Sequence, residues 1–268
     1  MQLSRTPLLS AAFLFLSGCD LLGEAIDEFE GLTNPLVAQV FLLGIATPED
    51  AELAAAIEDS AMELDRAIQV FLADAASADD LENAPVSGAA VSVQVGPGGA
   101  VDLDEAVDGG YKATGADGLE YITGQDATVS VTLGESTAVM SLTLPIAVSA
   151  TVPTEADANT ALSVELGSDY DGALGVVIDL LSSEVTWDNR PLDIQSLYDF
   201  THVEGSVNTL EIPATAFPGE SLYAVGIAGI ENADPETFDG VNTLLTSFMA
   251  GKVTFYPVST IPVPAGGR

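Results

Sequence analysis

A mainly β fold is predicted: two antiparallel β-sandwich domains, with an N-terminal helix and one amphipathic helix inserted before the last strand. Three observations carry this. "AAVSVQVG", "ATVSVTLG" and "VMSLTLP" alternate apolar with Ser or Thr at a period of two, as half-buried antiparallel strands do. "GPGG", "DGG" and "ADG" punctuate the runs as turns. Hydrophobic residues make up 47% of the chain and mean hydropathy is +0.34. Packed cores are therefore expected in spite of a formal charge of −35.

Taken in order, residues 1–18 read as an export signal. Arg5 supplies a positive n-region, and "PLLSAAFLFL" is an apolar core too short for a permanent membrane span. Cys19 is the only cysteine among 268 residues, so no disulfide is available to it within the chain. Leu16-Ser17-Gly18-Cys19 resembles the lipobox of bacterial lipoproteins. That resemblance implies cleavage before Cys19, acylation of its thiol with palmitate-type chains, and a protein held at a membrane of the cell envelope by its N-terminal lipid.

Residues 19–66 are expected to hold the anchor, a spacer and a helix. "DLLGEAIDEFEGLTNP" is acidic and weakly helical. A helix is predicted from Pro48 to about Asp65: Thr47 can cap, Pro48 suits the first position, and Leu53, Ile57, Ala61, Leu64 and Ile68 recur at helical spacing. "QVFLLGIA" at 39–46 and "QVFLADAA" at 69–76 share four residues and read as buried strands.

The alternating runs place the first sandwich at 67–152. "NAPVSGAAVSVQV", "DGGYKATGADG" and "YITGQDATVSVTL" also resemble the carboxypeptidase-regulatory or transthyretin-like class of bacterial immunoglobulin-like domains. The likeness covers roughly 69–152 and implies a sandwich without an active site of its own.

"TVPTEADANT" at 151–160 reads as a linker, and 153–268 as the second sandwich. Leu162, Val164 and Leu166 alternate, and "GALGVVIDLL", "TLEIPA", "SLYAVGIAGI" and "VTFYPVS" supply further strands. In "FPGESLYAVGI", Phe217 and Tyr223 resemble the tyrosine corner of fibronectin type III domains, which implies a Tyr223 hydroxyl bonded back to the main chain. Asp234 and Pro235 can start a helix, and Phe238, Val241, Leu244, Leu245, Phe248 and Met249 form an apolar stripe ending at Gly251. A helix over 235–250 is the expectation.

Few reactive groups are available. His202 is the only histidine, and "FTHVEG" has no nucleophile elbow around it. "GESLYAVG" lacks the second glycine of such an elbow, zinc lacks ligands, and "MAGKVT" around Lys252 lacks the features of a phosphate loop. Neither Lys112 nor Lys252 has a serine at the S-x-x-K spacing. Trp187, the sole tryptophan, reads as a core residue. Acids gather at Asp102, Asp104, Glu105 and Asp108, at Asp169 and Asp171, and at Asp234, Glu236 and Asp239, but none of these stretches matches a calcium loop. No catalytic set, cofactor or metal is expected.

Removing Arg5 with the signal leaves five basic against 41 acidic side chains, a net −36. Five scattered cations cannot build a phosphate-binding patch, so nucleic acid is not an expected partner. The membrane, reached through the lipid, is expected; the protein or polysaccharide bound is unspecified. The expected function is a non-catalytic binding, adhesion or structural module. Its alternatives are a carboxylate-dependent hydrolase of envelope polysaccharide and an accessory subunit of an envelope complex.

Overall fold

The computed structural model describes residues 36–48, 51–58, 67–106, 109–202 and 205–261. The strands, in chain order, are β1 (Leu36–Ile45), β2 (Ala67–Asp74), β3 (Ala90–Val95), β4 (Val101–Asp102), β5 (Asp104–Glu105), β6 (Gly110–Thr114), β7 (Asp126–Leu133) and β8 (Ser136–Thr143). They continue with β9 (Glu155–Asp157), β10 (Leu162–Tyr170), β11 (Gly172–Asp179), β12 (Glu184–Asp188), β13 (Val207–Ile212), β14 (Leu222–Asn232) and β15 (Ser247–Ile261). Every run assigned to a strand from alternation or apolar content lies on one of them.

Three sheets result. A nine-stranded sheet runs β12-β11-β14-β15-β1-β2-β6-β5, with β9 paired to the end of β15. Four strands form β4-β3-β7-β8, and β10 pairs with β13 alone. One face of the large sheet meets both smaller sheets. Val40 and Leu42 of β1, Ile68 and Val70 of β2, and Phe248 of β15 pack against Val91, Val93, Val129, Val131 and Met140 of the four-stranded sheet. Further along, Val177 of β11, Val225 and Ile227 of β14 and Val258 of β15 pack against Val164, Leu166, Leu210 and Ile212. The alternation that writes these strands therefore builds two β-sandwich cores.

The two cores share their sheet. Strands from 36–114 and from 155–261 lie in it side by side, joined where β1 runs parallel to β15. β1, expected as a buried strand within the spacer of 19–66, is thus the seam between the stretches read as two sandwiches. Its eight interior residues are buried on both faces, which is why it reads as a continuous apolar run without alternation. The stretch read as a linker supplies β9, parallel to the end of β15, and Thr151 bridges to Glu165.

The opposite face of the large sheet carries Phe41, Leu43, Leu174, Val176, Met249, Val253 and Phe255. Two short helices cover it. Ala51–Glu58 contributes Leu53 and Ile57, and Ile194–Thr201 contributes Leu197. The second helix is fixed by a capping box, with Asp193 accepting from Ser196 N at 2.7 Å. Of the helix expected from Pro48 to Asp65, the described part is Ala51–Glu58; Pro48 precedes it, Ile68 belongs to β2, and 49–50 and 59–66 lie outside the described residues. The anchor region with Cys19 also lies outside them.

The helix expected over 235–250 does not form. Asp234 and Pro235 do start a turn, with Asp234 accepting from Glu236 N at 3.0 Å, but it is a single 3-10 turn, Pro235–Thr237. Gly240 then takes a φ of +75°, and a β-carbon there would lie 2.9 Å from the Thr137 carbonyl oxygen. Asp239 exchanges backbone hydrogen bonds with Val139 at the edge of β8, both at 2.9 Å. From Ser247 the chain is strand, and Phe248 and Met249 face opposite sides of the sheet instead of sharing a helical stripe. Pairing with β1 and β14 overrides the helical periodicity.

The seam has a polar lock. Gln39, fully buried, donates through Nε2 to the Leu245 carbonyl and accepts from the Ser247 hydroxyl. Ala38 N donates to Thr246 Oγ1 at 3.2 Å, and Asn242 N donates to the Leu36 carbonyl at 2.8 Å. The 242–246 turn is thereby held against the start of β1. Gln39→Leu should remove both partners at once. With about 1–3 kcal/mol lost for each buried group left unsatisfied, the urea midpoint should fall clearly, and adding Ser247→Ala should restore part of the loss.

Candidate functional site

The junction between the two cores gathers one cation, Lys252, and the hydroxyls of Tyr121 and Tyr256. Lys252, on β15 between the cores, lies 5.9 Å from the centre of the Tyr121 ring and 3.4 Å from Thr123 Oγ1. Tyr121 donates to the Pro145 carbonyl at 3.1 Å, and burial pushes its phenol well above the usual range. Its ring covers Gly44 of β1 so closely that a β-carbon there would overlap it. On the other side, the Tyr256 hydroxyl donates to the Val148 carbonyl and accepts from Ala150 N, both at 3.4 Å. The connection between the two halves of the chain is thus held by two phenols, Tyr256 from β15 and Tyr121 from the segment whose ring covers β1. Chemically this is a closure: the hydroxyls are spent on main-chain groups and the ammonium lies over a ring.

A small apolar depression lies on the opposite face, lined by Leu43, Leu174, Val176, Gly226 and Val253 with Arg190 at its side. Arg190 is turned to Asp188, with Nη2 at 2.7 Å and Nε at 2.8 Å from Oδ2. The lining therefore offers carbon surface and a neutralised cation.

His202 ends the helix Ile194–Thr201. Its Nδ1 lies 2.8 Å from the Tyr198 carbonyl, which can only accept, so Nδ1 is the protonated nitrogen. The ring stacks on Tyr198 at 3.9 Å, and Thr201 Oγ1 is 2.9 Å from the same nitrogen. Both interactions serve the helix end. Trp187 packs partly buried against the second core and over Gly175, where a β-carbon would meet its ring. Lys112 is exposed on β6.

Several of the acids gathered near turns have local roles. Both Glu105 carboxylate oxygens accept from Gly88 N, at 3.1 and 3.2 Å. Asp171 Oδ2 accepts from Asn232 N at 2.8 Å, Asp234 caps its turn, and Asp239 pairs with β8 through its backbone. Asp108 lies outside the described residues. Among the described residues no group of three or more His, Cys, Asp or Glu is gathered where it could hold a metal ion. No described helix is long and apolar enough to cross a membrane.

The tyrosine corner has the geometry its resemblance implies. The Tyr223 hydroxyl donates to the Gly219 carbonyl at 3.2 Å, and the ring meets Phe217 edge-on at 5.3 Å between centres. Thr260 Oγ1 donates to the same carbonyl at 2.6 Å and accepts from Ser221 N at 2.9 Å, tying the end of β15 into the corner. Sequence reasoning did not single out Gln39 or Tyr121. A lone amide inside an otherwise apolar strand is the signal that could have marked Gln39.

No family model matches this chain, and no curated protein matches it. Among solved structures, the Yersinia pseudotuberculosis adhesin InvE is matched over 83% of this chain and 58% of its own, at 11% identity and a TM-score of 0.23. Titin domains A168–A170 are matched over 84% and 66%, at 7% identity and 0.22. The four N-terminal immunoglobulin domains of Dscam1 isoform 7.44 are matched over 80% and 42%, at 9% identity and 0.20. The chain thus spans less than two thirds of each matched chain. The sandwich architecture rests on the strand pairing and sheet faces described above.

Partial burial, and secondarily the nearby Asp171 charge, raise the pKa of Glu231. A carboxyl whose pKa is higher folded than unfolded favours folding at low pH and loses that contribution as pH rises through the folded value. Glu231→Gln should therefore raise the melting midpoint at pH 7, and the gain should vanish below about pH 4, where both states are protonated. Melting curves across that range check it.

Proposed function

We propose that this protein is a lipid-anchored, non-catalytic binding or adhesion module of a bacterial cell envelope. The observation that carries the reading is the placing of its single thiol: Leu16-Ser17-Gly18-Cys19 follows an apolar core with Arg5 ahead of it. The folded body supports the second half of the reading through how its reactive groups are used. His202 closes a helix, Arg190 neutralises Asp188, and Tyr121 and Tyr256 hold main chain. The ligand is then met by surface shape and charge. A net −36 on the mature chain selects against anionic polymers and keeps the body off an anionic bilayer, so attachment depends on the acyl chains.

The anchor is tested directly. Each buried methylene contributes about 0.8 kcal/mol, so one acyl chain holds marginally and two or more hold stably. No basic patch assists, and multiple chains on Cys19 are required. The wild-type protein should fractionate with membranes, partition into detergent and begin at Cys19 with added lipid mass. Cys19→Ala should accumulate as a longer, unlipidated precursor. A wild-type protein that washes off membranes at high pH with an unmodified N-terminus would overturn the anchor.

A further inference from the structure

We propose that the parallel union of β1 and β15 is a tension-bearing clamp, through which pull on the N-terminal anchor passes into the second sandwich. The idea rests on the anchored reading above only for where the load originates. Its mechanical content comes from the pairing itself.

β1, beginning at Leu36, is the first described strand on the C-terminal side of Cys19, so a pull carried along the chain from the N-terminal side loads β1 at its start. β1 and β15 are parallel, in register from Gln39↔Ser247 to Ile45↔Val253. β15 then runs on to Ile261, about 26 Å further at about 3.3 Å per residue. Its far half belongs to another core, where Val258 packs with Tyr223, Val225 and Ile227. Tension between the anchor and anything gripped by the second sandwich therefore draws the two strands past one another along their length. Parallel ladder bonds are evenly spaced, so they share such a load instead of failing in turn.

The loaded end is also the locked one. The Gln39 amide bonds to Leu245 and Ser247, the Thr246 hydroxyl accepts from Ala38 N, and Asn242 N holds the Leu36 carbonyl. Gln39 is wholly buried, so water has no ready access to replace a bond as it stretches. Behind β15, antiparallel β14 is in register from Leu222↔Ser259 to Asn232↔Met249 and holds it against sliding.

The same strands offer opposite loading geometries. Leu36 faces Asp74 across the β1–β2 pair, and Leu222 faces Ser259 across β14–β15. Pulling at either of those ends peels one bond at a time. Forced unfolding reads the barrier and not the equilibrium stability, so geometry alone should change it.

The test is single-molecule force spectroscopy on the full chain from residue 19, with Cys19→Ala throughout and non-thiol handles at the termini. One sample is pulled between its two termini. A second is pulled between the N-terminal handle and a thiol at exposed Asp74→Cys, and a third between the C-terminal handle and a thiol at exposed Leu222→Cys. At equal pulling speed, the first rupture between the termini should need several-fold more force than either peeling geometry. A terminal rupture force equal to or below both peeling forces would overturn the clamp. The unlipidated samples carry no information on anchoring, so membrane fractionation can fail while the clamp stands, and the reverse.

Discussion

The pairing of β1 with β15 is the constraint on which the rest of this structure depends. Two strands about 208 residues apart in the chain lie side by side and in parallel. In the hydrogen-bond order of the sheet this pair stands between one flank, β2, β6 and β5, and the other, β14, β11 and β12. Parallel neighbours cannot be joined by a tight hairpin, so the whole intervening chain serves as the crossover. Such a contact closes a very long loop and must be strongly specified to be worth its entropy. Burial of β1 on both faces supplies the free energy, while Gln39 supplies the register. A slip of one residue would carry its amide into an apolar core and leave Leu245 and Ser247 without it.

Sharing one sheet also explains how the remaining polar groups are used. Two cores on the same face leave a gap between them, and the chain crosses it at 144–152. Tyr121 and Tyr256 close that gap by bonding to Pro145 and Val148 carbonyls, and Lys252 lies over the Tyr121 ring. Gly44 is the place on β1 where this closure presses closest, and its lack of a side chain makes room for the ring. Acidic residues take the outside. Several are fixed by main-chain donors, as Glu105 is by Gly88 and Asp117 by Thr114, whose hydrogen bonds hold the Asp117 carboxyl below its usual pKa. The body is thus held by neutral contacts within and carries its acids on the outside.

Strand alternation and turns were legible because each is a local rule. β3, β7, β8 and β10 expose one face to water, and their sequences show it. The tyrosine corner was legible for the same reason: Phe217, Gly219 and Tyr223 lie within one turn of chain. The candidate site was less so. Trp187 packs against a core as its sequence reading has it, whereas Tyr121 and Gln39 gained their roles from partners more than twenty residues away.

By itself, the sequence determined that this chain is mainly β, that its cores are apolar beneath an acidic shell, and that its one thiol follows a short apolar run. Those properties depend on composition and on neighbours a few residues apart. Only the tertiary structure decided that residues 36–45 form a central strand, that two sandwiches share a sheet, and that 247–261 is extended. The stripe from Phe238 to Met249 satisfies a helical period, so local periodicity points to a helix where the chain forms turns and then, from Ser247, a strand. What decided it was a pair of strands, β1 and β14, whose open edges satisfy the backbone of β15, β1 over 247–253 and β14 over 249–259.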